Sequence, residues 1–505
     1  KLLIINIKKF LAQSQLFFIN SIIRIKFDNN INLDLQYFDD IQQTKSNNYT
    51  LRYQPWFKNY NNYNPNKTVI VIGAGISGAA SAYSLAKLGI KVVVYDTENT
   101  VASRASGNYQ AVLYANFFGN HTDLTELYKT SYQYTYNLIY EILTQYHLKN
   151  NIVAQENKIF EACGLMQIIN NEKQYQHYKK YLSVANNLNQ NFAYIIDATK
   201  VADLLNQQLD NCYAAIYYPK AMWFDPKILI TQLLQHPNIT VHLNTKITQI
   251  EYLKENYDIN YCVDNQDKQH GMWHLYADSN KKQFITKAYN VVMCNSYMIN
   301  EIKQFKHLPL RKIRGQISVI DVEQEIQMII CSLAYITPKK YSYNTIGASF
   351  KFNNNDLNCD LNSLEHLENI NNIAYNIPSI LKQNQILDFT NQEFAKADIR
   401  SSTHDYLPIV GVISEIKSFY SQYMPLSKDA NFKFIDNKQN ECQYLTGLYL
   451  NIAHGSKGML SAPFCGEIIA HYIANLPINC SKKLLDKLQA NRLWCRSLIK
   501  QNFLL

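Results

Sequence analysis

The sequence predicts an α/β protein in which a dinucleotide-binding domain is built from distant parts of the chain and an α+β domain is inserted between them. Three observations lead there. The stretch "TVIVIGAGISGAASAYSLAKLGIKVVVYD", Thr68 to Asp96, runs strand, glycine loop, helix, strand, the rhythm of a βαβ unit. That rhythm returns in "PKAMWFDPKILITQLLQHPNITVHLNTKITQIE" and again in "GLYLNIAHGSKGMLSAPFCGEIIAHYIA". Residues 306–395 instead mix strand-like pieces with one helical pattern, as a different layer architecture would.

The elements follow in order. Residues 69–72 are a β-branched run suited to a parallel strand buried on both faces. Gly73, Gly75 and Gly78 then give G-x-G-x-x-G. Gly73 permits the tight turn, Gly75 a close backbone approach to a pyrophosphate, and Gly78 close packing of helix on strand, as in Rossmann-like domains. A helix over 76–88 aims its N-terminal N–H groups and dipole at that phosphate. Residues 91–95 form the second strand. Asp96 ends it about 20 residues past the glycines, where an acid suits a ribose hydroxyl. Residues 119–200 read as mainly helical and polar, with a helix over 124–147. A helix over 226–235, strands over 240–243 and 245–251, and the apolar run "NVVMCN" ending in Cys294 and Asn295 continue the α/β pattern. In the second domain, 315–322 and 343–349 read as strands and 361–375 as a helix. The expected division is an extension and linker over 1–66, a discontinuous dinucleotide domain over 67–118, 200–305 and 396–505, and a substrate domain over 119–199 and 306–395.

A chain of 505 residues, 47% hydrophobic and 18% charged, can bury large cores and suits two or three globular domains. Runs such as "KNYNNYNPNK" reflect a bias towards Lys, Asn, Ile and Tyr. The net charge of +9 is compatible with a polyanionic partner. Ten Cys scattered without C-x-x-C spacing argue against a disulfide framework or a zinc site and for a reducing, cytoplasmic compartment. No uncharged apolar run reaches membrane-spanning length, and residues 10–23 lack the features of a signal peptide. No Ser-His-Asp or metal-ligand constellation stands out among the 12 His.

The chemistry concentrates at "ASGNYQAVLYANF", directly after the second strand, with Ala105, Ser106, Gly107, Asn108 and Gln110. An NAD dehydrogenase does not need a small-residue loop here; FAD oxidases of the amino-acid oxidase class use one to pass the backbone close to the flavin. With "AHGSKGMLSAPF" and the terminal "LQANRLWCRSLIK", this loop resembles one family, the FAD-dependent oxidoreductase half of the bifunctional tRNA 5-methylaminomethyl-2-thiouridine biosynthesis enzymes (MnmC type). These belong to the glycine oxidase and D-amino-acid oxidase fold class. The resemblance runs from about Thr68 to Lys500. Pro55-Trp56-Phe57 sits where that family's linker from its methyltransferase half should be, but residues 1–54 show no glycine-rich S-adenosylmethionine loop. The expectation is the oxidoreductase without its methyltransferase, or a piece of the whole.

The resemblance implies a Rossmann-like FAD-binding domain with an inserted substrate domain, and FAD as cofactor. It also implies tRNA as substrate and oxygen as electron acceptor. The implied reaction converts the carboxymethylaminomethyl group of a wobble 2-thiouridine to aminomethyl, releasing glyoxylate. Arg400, in "DIRSSTHDYLPIVG", matches the position where glycine oxidases place a carboxylate-holding Arg before a T-x-D-x-x-P-x-x-G turn; the alternative is an Arg paired with a structural carboxylate. Lys457 stands where the family tends to have Arg, and either adds charge at the flavin or substrate or faces solvent. Gly455, Ser456, Gly458 and Met459 open the last long helix, as an anion-stabilising N-terminus or a plain cap. Arg314-Gly315-Gln316 is expected against the flavin face. Ile247 is expected by the adenine or simply in a strand core, and Cys294 and Asn295 at the dinucleotide or buried in the sheet. Two basic clusters, Lys303/Lys306/Arg311/Lys312/Arg314 and Lys482/Lys483/Lys487/Arg492/Arg496/Lys500, bear on tRNA or are solvated faces. The rival readings are a glycine- or sarcosine-type small-molecule oxidase and a catalytically decayed flavoprotein.

Overall fold

The computed structural model describes residues 68–115, 122–150, 158–186, 192–253, 271–277, 283–352, 359–382, 395–435 and 441–503. The expected extension over 1–66, with Pro55-Trp56-Phe57, lies outside the described residues.

Val69–Ile72 lies inside a six-stranded sheet ordered Ile409–Ser414, Tyr444–Ile452, Asn290–Met293, Val69–Ile72, Val92–Tyr95, Ile239–His242. The last five run parallel, and Ile409–Ser414 runs antiparallel to Tyr444–Ile452. Alternate residues feed opposite layers, as the period of a strand requires. Val69 and Val71 join a core with the helices Ile76–Lys87 and Gly458–Ala474. Ile70 and Ile72 join a second core with Ile250, Trp273 and Leu275 of a three-stranded antiparallel sheet and with Trp494 of the helix Asn491–Ile499. Parallel neighbours on both sides of Val69–Ile72 leave a crevice at the carboxyl ends of these strands, the place where open α/β sheets bind ligands.

The two helices of the first layer approach at backbone distance. A Cβ added to Gly466 would lie 2.8 Å from the carbonyl carbon of Ala80.

The large sheet has nine strands. Eight run in the order Lys351–Phe352, Arg311–Ile320, Asn344–Gly347, Tyr335–Ile336, Ile329–Cys331, Leu165–Ile169, Ala214–Tyr218, Tyr194–Asp197, and Ala395–Ser402 pairs with Arg311–Ile320. The helix Ser363–Ala374 buries Ile370 and Ile373 against Ile320, Ile336 and Ile346 of this sheet. Ala214–Tyr218 comes from a stretch that the sequence division gave to the dinucleotide domain. The stretch expected to be mainly helical contains two of these strands as well as the helices Thr122–Lys149 and Glu172–Asn186. "LMQII" is too short a run to reveal its period, and burial inside the sheet decides its form. Most other expected elements appear within a residue or two, as Pro226–Leu234, Ile239–His242 and Ile247–Leu253 show, while the strand expected over 315–322 begins four residues earlier, at Arg311.

Ala395–Ser402 leads from the large sheet back to the small one. It runs antiparallel to Arg311–Ile320 with Arg400 opposite Ile313. The turn after it is locked by hydrogen bonds from the Thr403 hydroxyl to Asp405 and the Leu407 carbonyl, both 2.7 Å. Arg492 clamps the same carboxylate, Nε at 3.0 Å and Nη2 at 3.1 Å.

Replacing Gly466 by Val should push the helix Gly458–Ala474 off its partner and destabilise the protein by about 1–3 kcal/mol. Thermal melting measures this, and an unchanged melting temperature would contradict the close approach.

Candidate active site

A cavity of about 380 Å³ opens at the carboxyl ends of the small sheet's strands. One end is a cradle of backbone. Gly73 has φ +108, and a Cβ there would fall 2.8 Å from the Cys294 carbonyl oxygen, so only glycine fits this turn. The N–H of Ile76, at the start of the helix, donates to the Ser106 hydroxyl at 3.1 Å. Asp96 accepts from the N–H of Ala74 at 2.5 Å and of Glu98 at 2.8 Å. Both carboxylate oxygens are thereby oriented, with lone pairs to spare.

Of the residues expected at a cofactor, Gly73, Gly75, Asp96, Ala105, Ser106 and Asn108 line the cavity. So do Gln110, Ile247, Cys294, Asn295, Gly455, Gly458 and Met459. Two glycines of the motifs do not. A Cβ on Gly78 would lie 1.7 Å from the Gly73 oxygen, so this glycine keeps helix and turn together. A Cβ on Gly107 would meet the Ala102 oxygen at 1.9 Å and Lys396 Nζ at 2.7 Å. Its smallness is thus required by protein atoms already. Lys396 donates to the Ser103 carbonyl at 2.7 Å and the Gly107 carbonyl at 3.2 Å, tying the loop to the strand Ala395–Ser402. Burial, and then the charge of Lys227, lower its pKa to about 8. Gln110 is fully buried: its amide donates to the Pro338 carbonyl and accepts from the Thr337 and Thr345 hydroxyls.

The other end is cationic. Arg400 and Lys457 both line the cavity, with Tyr114, Cys331 and Tyr335 beside them. The Arg400 guanidinium lies over Gly315, where a Cβ would come 2.8 Å from Nη2. Neither cation forms an ion pair among the described residues; Lys457 sits 4.0 Å above the Tyr114 ring. Burial lowers the pKa of both. That of Lys457 falls to about 8, with Cys331 opposing the fall and the Arg400 charge adding to it. His454 is held between Ser461 at 2.8 Å and Asn451 at 2.9 Å, and burial pushes it down to about 3, leaving a neutral imidazole. The turn Gly455–Lys457 and the helix Gly458–Ala474 begin here, so a helix N-terminus faces the cavity.

Three expectations are corrected. None of Arg314, Gly315 and Gln316 lines the cavity: Gly315 lies under the Arg400 guanidinium, and on the opposite face of the strand Arg314 pairs with Glu365 and Gln316 bonds to the Asn362 backbone. Arg314 therefore leaves the first basic cluster. Arg492 leaves the second, being buried on Asp405, and Lys482 and Lys483 are paired with Asp486 and Asp123. Lys396 was missed, although "AKADIRSS" at strand period puts it on the same face as Arg400. Cys331 and Tyr335, cross-strand partners in one strand pair, carry no local signal, and Tyr114 lies in the quoted loop stretch but was not singled out.

A family model described as FAD dependent oxidoreductase (DAO) matches residues 68–472. The chain belongs to that family. It is an FAD-dependent oxidoreductase, and the cradle suits FAD: a positive-φ glycine turn, a helix N-terminus and an oriented carboxylate on one cavity. The chain is 28% identical over 451 residues to the tRNA 5-methylaminomethyl-2-thiouridine biosynthesis bifunctional protein MnmC of Pseudomonas savastanoi pv. phaseolicola, covering 88% of this chain and 62% of that one. It is 29% identical over 450 residues to the protein of the same name from Chromobacterium violaceum, with the same coverage. It thus spans 62% of the length of these relatives. In fold it resembles a glycine oxidase from Geobacillus kaustophilus, TM-score 0.62 at 16% identity, covering 85% of this chain and 99% of that one. L-proline dehydrogenase from P. horikoshii gives TM-score 0.61 at 17% identity over 85% and 98%. Among the described residues no helix is long and apolar enough to cross a membrane.

Replacing Lys396 by Met removes two charge-assisted hydrogen bonds from the loop over 103–107 and should weaken FAD retention about tenfold or more. Titration of the stripped protein with FAD, followed by fluorescence quenching, measures it; unchanged affinity would free the loop from this tie.

Proposed function

We propose that this chain oxidises the secondary amine of 5-carboxymethylaminomethyl-2-thiouridine at the tRNA wobble position, giving 5-aminomethyl-2-thiouridine and glyoxylate. The observation that carries the reading is the pair Arg400 and Lys457: two cations without a carboxylate partner among the described residues, on the same cavity as the dinucleotide cradle. Unpaired cations surrounded by protein are costly unless an anion completes them. The substrate's side group ends in a carboxylate next to its amine, and the relatives in Pseudomonas and Chromobacterium are named for the biosynthesis of a tRNA 2-thiouridine with an aminomethyl-type group at the same position 5.

In this reading the cradle of Gly73, Gly75, Asp96 and the loop at Ala105, Ser106 and Asn108 holds FAD, with Ile247 at the adenine end. Gly455, Gly458 and Met459 present the helix N-terminus. FAD, when bound, supplies the two-electron oxidation of the C–N bond, and oxygen takes the electrons on. Arg400 grips the carboxylate through two parallel N–H bonds, and Lys457 adds a point charge. That fixes the carbon between carboxylate and nitrogen, the one to be oxidised. Neutral His454 keeps the helix start rigid without adding charge. Water then splits the resulting imine into the aminomethyl group and glyoxylate. The small sheet carries the cofactor and the large sheet the substrate. The cysteines among the described residues are free thiols, which suits the cytoplasm. The same two cations suit a free N-substituted glycine, so a small-molecule oxidase is the second reading.

Anaerobic mixing distinguishes them: flavin bleaching by tRNA carrying the carboxymethylaminomethyl group, and not by unmodified tRNA, glycine or sarcosine, is expected. Bleaching by the free amino acids alone would replace the tRNA reading. Arg400→Lys should slow bleaching by about ten- to a hundredfold through loss of the fork.

Lys457 is protonated below about pH 8 and loses its charge above it. Its help to carboxylate binding is therefore present at lower pH and lost as pH rises through that value. The wild-type kcat/KM should fall above about pH 8, and Lys457→Met should be lower and without that step. An identical step in the variant would assign it elsewhere.

A further inference from the structure

The mouth of the cavity carries a feature that the oxidation chemistry does not use. Phe350 lines the cavity yet is 46% exposed, and Phe352 is 55% exposed; their rings meet edge to face with centroids 5.1 Å apart. Phe352 pairs with Ile313, which on its other side pairs with Arg400. Cross-strand partners share a face, so Phe352, Ile313 and Arg400 form one row across three strands. Arg311, two residues before Ile313, is the diagonal neighbour of Phe352 on that face.

Basic residues from far along the chain lie by the turn that follows Arg400's strand. Arg492, Arg496 and Lys500 follow at four-residue spacing on one side of the C-terminal helix and its cap. Arg492 is anchored on Asp405, which places Arg496 and Lys500 beyond the turn at His404. His404 has a lowered pKa, first from burial and then from Arg311, Arg496 and Lys500, with Asp405 opposing. Arg311 of the first basic cluster and Arg496 and Lys500 of the second thus act on one imidazole. Lys312 lies 5.0 Å over the ring of Tyr297, another cavity-lining aromatic.

Resting on the tRNA reading above, we propose that Phe350 and Phe352, flanked by Arg311, Arg496 and Lys500, form the platform that receives the single-stranded RNA loop carrying the target uridine. Bases next to that uridine stack on the phenylalanine pair, while the loop's phosphates run over the cations. Every base offers a π-face, so the rings hold an unpaired loop whatever its sequence, and the cations supply a salt-dependent grip. The row geometry then sends the uridine side group inward, since Arg400 is the next polar group along it. A free amino acid is too small to touch both ends of this surface. A stable protein partner needs a buried area of about 1,000 Å² or more with an apolar centre, whereas here the aromatic pair stands among charges.

The test uses the FAD-loaded protein and binding of carboxymethylaminomethyl-bearing tRNA at two salt concentrations, with flavin absorbance as the check on folding. Phe352→Ala should weaken binding about tenfold with little change in salt slope, and Phe352→Trp should restore it. Arg311→Gln/Arg496→Gln/Lys500→Gln should lower the log–log salt slope by about 2, near 0.7 for each phosphate that is no longer neutralised. If the wild type binds tRNA and these variants bind it equally well with the same slope, the platform is wrong and the reaction assignment stands. If the wild type bleaches with sarcosine and binds no tRNA, the reaction assignment fails and takes the platform with it.

Discussion

The antiparallel pairing of Arg311–Ile320 with Ala395–Ser402 is the constraint on which the rest of the site depends. It fixes Arg400 opposite Ile313 and lays its guanidinium over Gly315. It also fixes Lys396, which reaches back to the carbonyls of Ser103 and Gly107. One strand therefore sets the position of the cationic end of the cavity and of the loop at its other end. Past Ser402 the chain enters the turn held by Arg492 and returns to the small sheet. A one-residue slip in this pairing would turn both cations to the other face.

Charge in the cavity is arranged for anions at both ends. The cradle offers backbone N–H groups and a helix N-terminus, and the far end offers two cations that lack carboxylate partners among the described residues. Three of the protein's own acids are kept occupied. Asp96 is satisfied by two backbone N–H groups, Glu365 by Arg314, and Asp405 by Arg492 and Thr403. Burial raises Asp405's affinity for protons, but Arg492 outweighs it and keeps the carboxyl ionised. Among the described residues, none of these carboxylates takes a substrate's place on Arg400.

Much of this was legible in the sequence, for definite reasons. The glycine turn, its helix and Asp96 form a local unit with the spacing of a dinucleotide-binding motif, so 29 consecutive residues suffice to read it. Arg400, in the strand before a distinctive turn, and Lys457, in the turn Gly455–Lys457, were drawn out of the sequence by the residues around them, and both line the cavity. Gly107 was expected at the cavity wall, but the backbone packs it against Ala102 and Lys396 instead. Arg314 and Arg492 counted as surface charge because a basic residue in a run gives no sign of the buried acid it will meet: Glu365 lies 51 residues from Arg314, and Asp405 lies 87 from Arg492. The strand Leu165–Ile169 was hidden for a similar reason, since its partners Ala214–Tyr218 and Ile329–Cys331 are remote.

Gln110 has a consequence for how substrate can arrive. Its amide joins the loop after the second strand to Thr337, Pro338 and Thr345 of the large sheet, with both threonines buried. Swinging the two sheets apart would strip these bonds, and each buried polar group left bare costs about 1–3 kcal/mol. Hinge opening is therefore disfavoured, and whatever reaches the cavity enters from its rim. Selection in a protein of this build rests on what can reach inward past that rim rather than on closure around the bound molecule.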